Sequence, residues 1–242
     1  MKILIIRHAD PDYAADGLTE VGKIEAECLA DMLEGEKLDA VYCSPLGRAR
    51  LTAAPTLERH GMTAEYHEWL REFSYVSVKV PYLEERHICW DILPEYINTL
   101  PKIYSPDEWM DEPMIKDSDV YESYLHVCAE FDKVLAKHGY ERDGYGYRAV
   151  KPNHDTIAFV CHFGLGAVLL AHLMNCSPYT VWQNMVLLPS SVTTIHTEER
   201  RPGIASMRAS AIGDTSHLYK KGRAPSFSAR FCECNSDDER HD

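Results

Sequence analysis

The stretch Lys2-Ile3-Leu4-Ile5-Ile6-Arg7-His8 decides how the chain is read. Four consecutive aliphatic residues followed at once by a charge are too few for a targeting segment. They fit a strand that is apolar on both faces, as in the middle of a sheet. The run ends in a cation and an imidazole. In an open α/β sheet, ligands collect at the carboxyl ends of the strands, so Arg7 and His8 stand where chemistry is expected.

Outward from this strand, strand and helix signals alternate. Leu18, Val21, Ile24, Cys28, Leu29, Met32 and Leu33 recur at helical spacing behind Thr19, an N-cap residue type. Residues 40–43 read as a second strand. Ser44-Pro45 then supplies an N-cap and a first-turn proline for a helix to about residue 59, which Gly61 ends, and residues 63–66 form a third strand. The alternation resumes with a strand at 156–161, a helix at 165–174 and strands at 192–197 and 204–211. The expected fold is a single α/β domain, a three-layer α/β/α sandwich around a mostly parallel sheet. Residues 74–150 differ in character. They carry 15 acidic against 8 basic residues and 12 of the 24 aromatics, with one helical run at 120–138, and read as a lid inserted over the sheet edge. Residues 233–242 read as a frayed polar tail.

The 242 residues are 45% hydrophobic and 26% charged, which excludes collagen-like, coiled-coil and disordered classes. With 25 Lys+Arg against 38 Asp+Glu, the formal charge is −13. Such a surface repels nucleic acid and anionic membranes unless its few cations are gathered in one place. The eight cysteines are scattered, several inside apolar runs, which is reduced, cytoplasmic usage and not a secreted disulfide framework. The longest later apolar stretch, 164–174, contains His172 and is too short to span a membrane. A cytoplasmic protein with no nucleic-acid or membrane partner is expected; its oligomeric state is left open.

Two further features carry chemistry. His162 ends the strand at 156–161. Arg48 lies in the first turn of the second helix, near the unpaired N–H groups and positive dipole end of a helix start. Two arginines, two histidines and a helix N-terminus round one crevice make an anion pocket, and the planar guanidinium fork suits phosphate. Each piece alone is commonplace; the ordered combination is not.

That combination is Arg7-His8, Leu18-Thr19-Glu20-x-Gly22, Ser44-Pro45-Leu46-Gly47-Arg48-Ala49-x-x-Thr52-Ala53 and His162-x-Gly164. It resembles the histidine phosphatase superfamily, the phosphoglycerate mutase-like group, and within it the phosphatase branch. Pro189-Ser190-Ser191-Val192-Thr193 and Gly213-Asp214-Thr215-Ser216-His217-Leu218 are similar to the family's late strand and C-terminal segment. The resemblance implies phosphomonoester hydrolysis through a phosphohistidine. His8 is then the nucleophile, which requires a neutral imidazole aimed by a hydrogen bond to its other nitrogen. Arg7, Arg48, His162 and Thr19 hold the phosphoryl oxygens, His162 counting among the catalytic residues. Protein cations stand where a metal would, so neither metal nor cofactor is implied.

The resemblance also implies an acidic proton donor after the third strand. Leu70-Arg71-Glu72 is the best positional match, with Glu68, Glu84 and Glu85 as competitors. A donor here needs a raised pKa. Two departures stand out. Ala9 replaces the usual glycine, which requires a negative φ at that residue, and Asp10 puts a carboxylate beside the pocket. The Asn and Arg-Arg features of phosphoglycerate mutases are missing, which favours a hydrolase over a phosphomutase. A non-catalytic phospho-ligand or partner-binding module is a further alternative. Tyr75, Tyr82, Trp90, Tyr96, Tyr104 and Trp109 in the insertion either contact a small organic monophosphate or form the lid's own core. No Walker A, dinucleotide, zincin or nucleophile-elbow motif is present. Cys232, Cys234 and His241 make a poor metal set. The whole reading requires His8 and His162 to share one cleft that solvent can reach.

Overall fold

A computed structural model describes residues 1–226. Cys232, Cys234, His241 and the polar tail lie outside the described residues. The described residues form an eight-stranded central sheet with helices on both faces. In chain order the elements that position the site are β1 (Lys2–Arg7), α1 (Glu20–Leu33), β2 (Ala40–Cys43), α2 (Gly47–His60), β3 (Glu65–Tyr66), α3 (Val120–Lys137), β4 (Tyr140–Asp143), β5 (Gly146–Ala149), β6 (Thr156–Cys161), α4 (Phe163–Met174), α5 (Pro178–Asn184), β7 (Val192–Arg201), β8 (Ile204–Asp214) and α6 (Ser216–Lys220). The order across the sheet is β3-β2-β6-β1-β7-β8-β5-β4.

The two-faced character of the central strands produces the layers. Leu4 and Ile6 of β1 pack with Val41, Cys43, Ala158 and Val160 against Leu29 and Leu33 of α1 and Ala53 of α2. Ile3 and Ile5 point the other way and join Ile157, Phe159 and the apolar faces of α3 and α4. Phe131 of α3 meets Phe159 edge-on with ring centroids 5.0 Å apart.

The three-layer architecture matches the expectation, but the sheet is mixed and not mostly parallel. β3, β2, β6 and β1 run parallel, whereas β7, β8, β5 and β4 are joined in antiparallel pairs. Turn chemistry fixes two of the four antiparallel pairs. Pro202 and Gly203, the latter at φ 81°, close the β7–β8 hairpin in two residues, and Gly144 at φ 58° does the same for β4–β5. Such turns can join only antiparallel neighbours.

The insertion is also less separate than expected. β4 and β5 extend the main sheet, α3 covers one of its faces, and Val76, Val78, Ile97, Ile103 and Trp109 belong to the same core as Ile5 and Phe159. α1 is rotated from the expected face. Val21 and Ile24 are 47% and 36% exposed, while Gly22, Glu25 and Ala26 are buried. Gly22 forces this, because a Cβ there would lie 2.1 Å from the Asp10 carbonyl oxygen; only its bare face fits against that backbone. α2 begins at Gly47 with Leu46 in the cap position, two residues beyond the expected Ser44-Pro45 start.

Candidate active site

Strand register builds the floor. In the parallel trio β2-β6-β1, Cys43 is level with Val160 and Arg7 with Cys161. The next residue along each chain, Ser44, His162 and His8, therefore leaves the sheet at the same end, side by side. The His8 N–H donates to the Cys161 carbonyl at 2.9 Å, and the His8 and His162 rings stand 5.0 Å apart at 59°.

His8 is oriented by its own loop. Its Nδ1 lies 2.8 Å from the Ala9 carbonyl oxygen. A carbonyl can only accept, so Nδ1 carries the proton and Nε2 keeps its lone pair. Burial and the neighbouring Arg7 cation push the His8 pKa down to about 3. The ring is thus neutral at any physiological pH. His162 is likewise held well below the usual histidine range, by burial and by its cationic surroundings. Its Nε2 is 2.7 Å from Ser44 Oγ, and its Nδ1 is buried without a partner.

Both guanidiniums are half committed. Arg7 donates through Nη1 to the Leu187 carbonyl at 2.6 Å, and Arg48 through Nη1 to Asp16 Oδ1 at 2.7 Å. The Nε atoms of both are buried and unpartnered. Asp16 accepts a second bond, 2.7 Å, from the Gly47 N–H at the start of α2. Burial pushes its carboxyl up, but Gly47 and Arg48 outweigh this and hold it below the usual range. Tyr13 of the same loop faces Arg48 at 5.4 Å, and its phenol also acts on Arg7.

Glu72 lies on the opposite rim. Its Oε1 accepts the Phe73 N–H at 2.8 Å and the Leu165 N–H at 3.1 Å, the latter in the first turn of α4. Burial raises its pKa against the opposing pull of those N–H groups and of Arg7. The competitors stand apart: Glu68 pairs with Arg71 at the surface, and Glu84 and Glu85 are exposed.

The structure reassigns several residues. Thr19 donates its one hydroxyl proton to Asp10 at 2.7 Å and caps Gly22 of α1, so no O–H remains for a phosphoryl oxygen. Asp10 is held in that cap and by Glu25, whose Oε2 accepts the Asp10 N–H at 2.8 Å. Ala9 keeps a negative φ as required, and its N–H is held by Thr52 at 2.9 Å. Ser44, read as a helix cap, is instead the partner of His162. Ser190, at φ 57°, donates its N–H to the His8 carbonyl and is bonded through Oγ to His217 at 3.1 Å. Sequence reasoning gave Ser44 only a helix-cap role and assigned no site role to Asp16, Glu25 or Ser190. A buried acidic residue in the apolar stripe of α1 was the one available signal, for Glu25.

His8 and His162 share one site, and both are nearly sealed, at 1% and 0% exposure. Solvent meets the site at its rim, where Asp16, Arg48, Glu72, Trp90 and Phe163 keep partial exposure. The shared site is as the sequence reading required, but its second condition, that solvent reach the two histidines, is not met: both rings are buried in this structure.

Residues 3–210 match the profile of the histidine phosphatase superfamily, branch 1. A curated relative, phosphoserine phosphatase 1 of Hydrogenobacter thermophilus, is 25% identical over 83% of this chain and 89% of its own. A probable phosphatase of Schizosaccharomyces pombe is 23% identical over 90% of this chain and 95% of its own. Among solved structures, a phosphoserine phosphatase mutant from Entamoeba histolytica with phosphoserine superposes with TM-score 0.59 at 19% identity, covering 90% of this chain and 98% of that one. A mycobacterial glucosyl-3-phosphoglycerate phosphatase does so with TM-score 0.56 at 20% identity, covering 88% and 99%. A profile match over residues 3–210, most of the length, makes this chain a member of the histidine phosphatase superfamily.

Proposed function

We propose that the chain hydrolyses small organic phosphomonoesters in two steps through a phosphohistidine on His8. The observation that carries this is a neutral, oriented His8 beside three buried, unpartnered ring or guanidinium nitrogens, on Arg7, Arg48 and His162. In the first step His8 Nε2 attacks phosphorus while the ester P–O bond breaks, and Glu72 gives its proton to the departing alkoxide. Ser44 Oγ accepts the Leu46 N–H at 3.3 Å, and the arrangement that serves this step has its own O–H donated to His162 Nε2, with the proton of His162 on Nδ1. His162 Nδ1–H and the Nε–H groups of Arg7 and Arg48 then hold the phosphoryl oxygens as charge develops. In the second step Glu72 takes a proton from water, whose oxygen displaces His8, and phosphate leaves.

The acidic insertion disfavours polyphosphorylated substrates. The phosphatase names of the curated relatives support hydrolysis of a small phosphorylated metabolite over transfer within one. A pure binding module would have no use for an imidazole held neutral beside two arginines. The test is turnover of an aryl phosphate by the wild-type protein with none by His8→Ala; equal rates would remove His8 from the chemistry.

A further inference from the structure

Most of the insertion's aromatics are spent on packing. Trp109 stands edge-on to Tyr121 and Tyr124, and Tyr82 to Tyr96. Trp90 differs. Its ring meets Phe163 edge-on at 5.3 Å, and Phe163 lies 5.8 Å from the Arg7 guanidinium. Its indole Nε1 is buried and has no hydrogen-bond partner. A Cβ built on Gly164 would come within 2.5 Å of Trp90 Nε1 and 2.8 Å of Glu72 Oε1. The indole N–H and the acid's carboxylate therefore close on one point from two sides, and only glycine beneath them leaves room for both.

The placement is fixed from behind. Gln183 donates to the Trp90 carbonyl at 3.1 Å, Tyr179 to the neighbouring Cys89 carbonyl at 2.8 Å, and Trp182 to the Gly164 carbonyl at 2.9 Å, all from α5. A donor held this firmly beside the group that protonates the leaving oxygen is oriented before any ligand arrives.

We propose that Trp90 reads the alcohol half of the substrate. Its N–H donates to a neutral oxygen acceptor, a hydroxyl or ether oxygen, on the carbon next to the one bearing the ester oxygen. This deepens the phosphatase reading and rests on it. A neutral acceptor fits better than a carboxylate because the surroundings are acidic. Glu72 flanks the position, its Oε1 2.8 Å from the point that Trp90 Nε1 approaches to 2.5 Å. A carboxylate there would meet a neutral donor and the carboxyl group of Glu72.

The test uses three esters of similar size: 2-hydroxyethyl phosphate, n-propyl phosphate and phosphoglycolate. Wild-type protein is expected to favour the hydroxyethyl ester over the other two by about tenfold in kcat/KM, the usual worth of one neutral hydrogen bond. Trp90→Phe keeps a ring against Phe163 but loses the donor. It should bring the hydroxyethyl ester to the level of the propyl ester through a raised KM. This ratio does not depend on how much of the variant is folded, and the wild-type comparison needs no variant. Equal wild-type efficiency on the first two esters, an unchanged ratio in Trp90→Phe, or a preference for phosphoglycolate overturns the role of Trp90. A wild-type protein that turns over none of the three and no aryl phosphate overturns instead the phosphatase reading, and this inference with it.

Discussion

Replacing Ser44 by Ala removes the hydroxyl 2.7 Å from His162 Nε2, and the consequence can be worked from burial alone. Both residues are completely buried, so no water replaces the lost partner. An unsatisfied buried nitrogen costs about 1–3 kcal/mol of stability, which in a chain of this size lowers Tm by roughly 2–10 °C. The catalytic effect is separate. Without Ser44 nothing keeps the His162 proton on Nδ1. Losing about 1.4 kcal/mol of that bias is worth tenfold, and losing a preorganised donor outright is worth 10²–10³. We therefore expect kcat/KM for an alkyl phosphate to fall between about 10- and 100-fold while the fold survives. Imidazole ¹⁵N shifts of wild-type protein should show His162 protonated on Nδ1. An Nε2-protonated His162, or a folded Ser44→Ala with unchanged kcat/KM, would refute the reasoning.

Other substitutions and conditions separate the remaining parts. Glu72→Gln keeps an acceptor for Phe73 and Leu165 but has no proton to give, so alkyl phosphates should slow by about 10²–10⁴ while aryl phosphates show a burst of released phenol; equal losses on both and no burst would exclude Glu72 as the acid. His8 and His217 have pKa values lowered to about 3 and about 4 by burial, so the native state refuses protons that the unfolded chain binds below about pH 6.5. Stability should be level above that pH and fall as pH drops toward 4, by on the order of 1.4 kcal/mol per unit for each such histidine; denaturant midpoints that stay constant from pH 7 to 5 would contradict this. Gly164→Ala should cost about tenfold or more in kcat, because its methyl displaces Trp90 and Glu72. A stabilised, fully active variant, which helix propensity alone would favour, would show that these two groups are free to move.

The central strands were legible because burial on both faces leaves one reading for an aliphatic run, and strands 2–7 and 156–161 carried His8 and His162 with them. The antiparallel half of the sheet was not, since two glycines in two-residue turns fix two of its pairs and local patterning within a strand does not report its direction. Glu72 was favoured over Glu68, Glu84 and Glu85 on position alone, because the Leu165 N–H that it meets lies 93 residues away in the chain. Ser44 misled for a similar reason. Ser-Pro is a helix start by local chemistry, but α2 draws its cap from Asp16, whose carboxylate takes the Gly47 N–H and frees Ser44 for His162. Thr19 shows the converse: its motif suggested phosphate, while its hydroxyl is consumed by Asp10 and the α1 cap.

The central claim is covalent chemistry at His8. Glu72→Gln, rapidly mixed with a ³²P-labelled aryl phosphate and quenched in alkali, should retain label as an acid-labile, base-stable phosphoramidate that peptide mapping places on His8, with none in the His8→Ala, Glu72→Gln double variant. Label on His162, label on a serine or carboxylate, or active protein that never acquires label would contradict it.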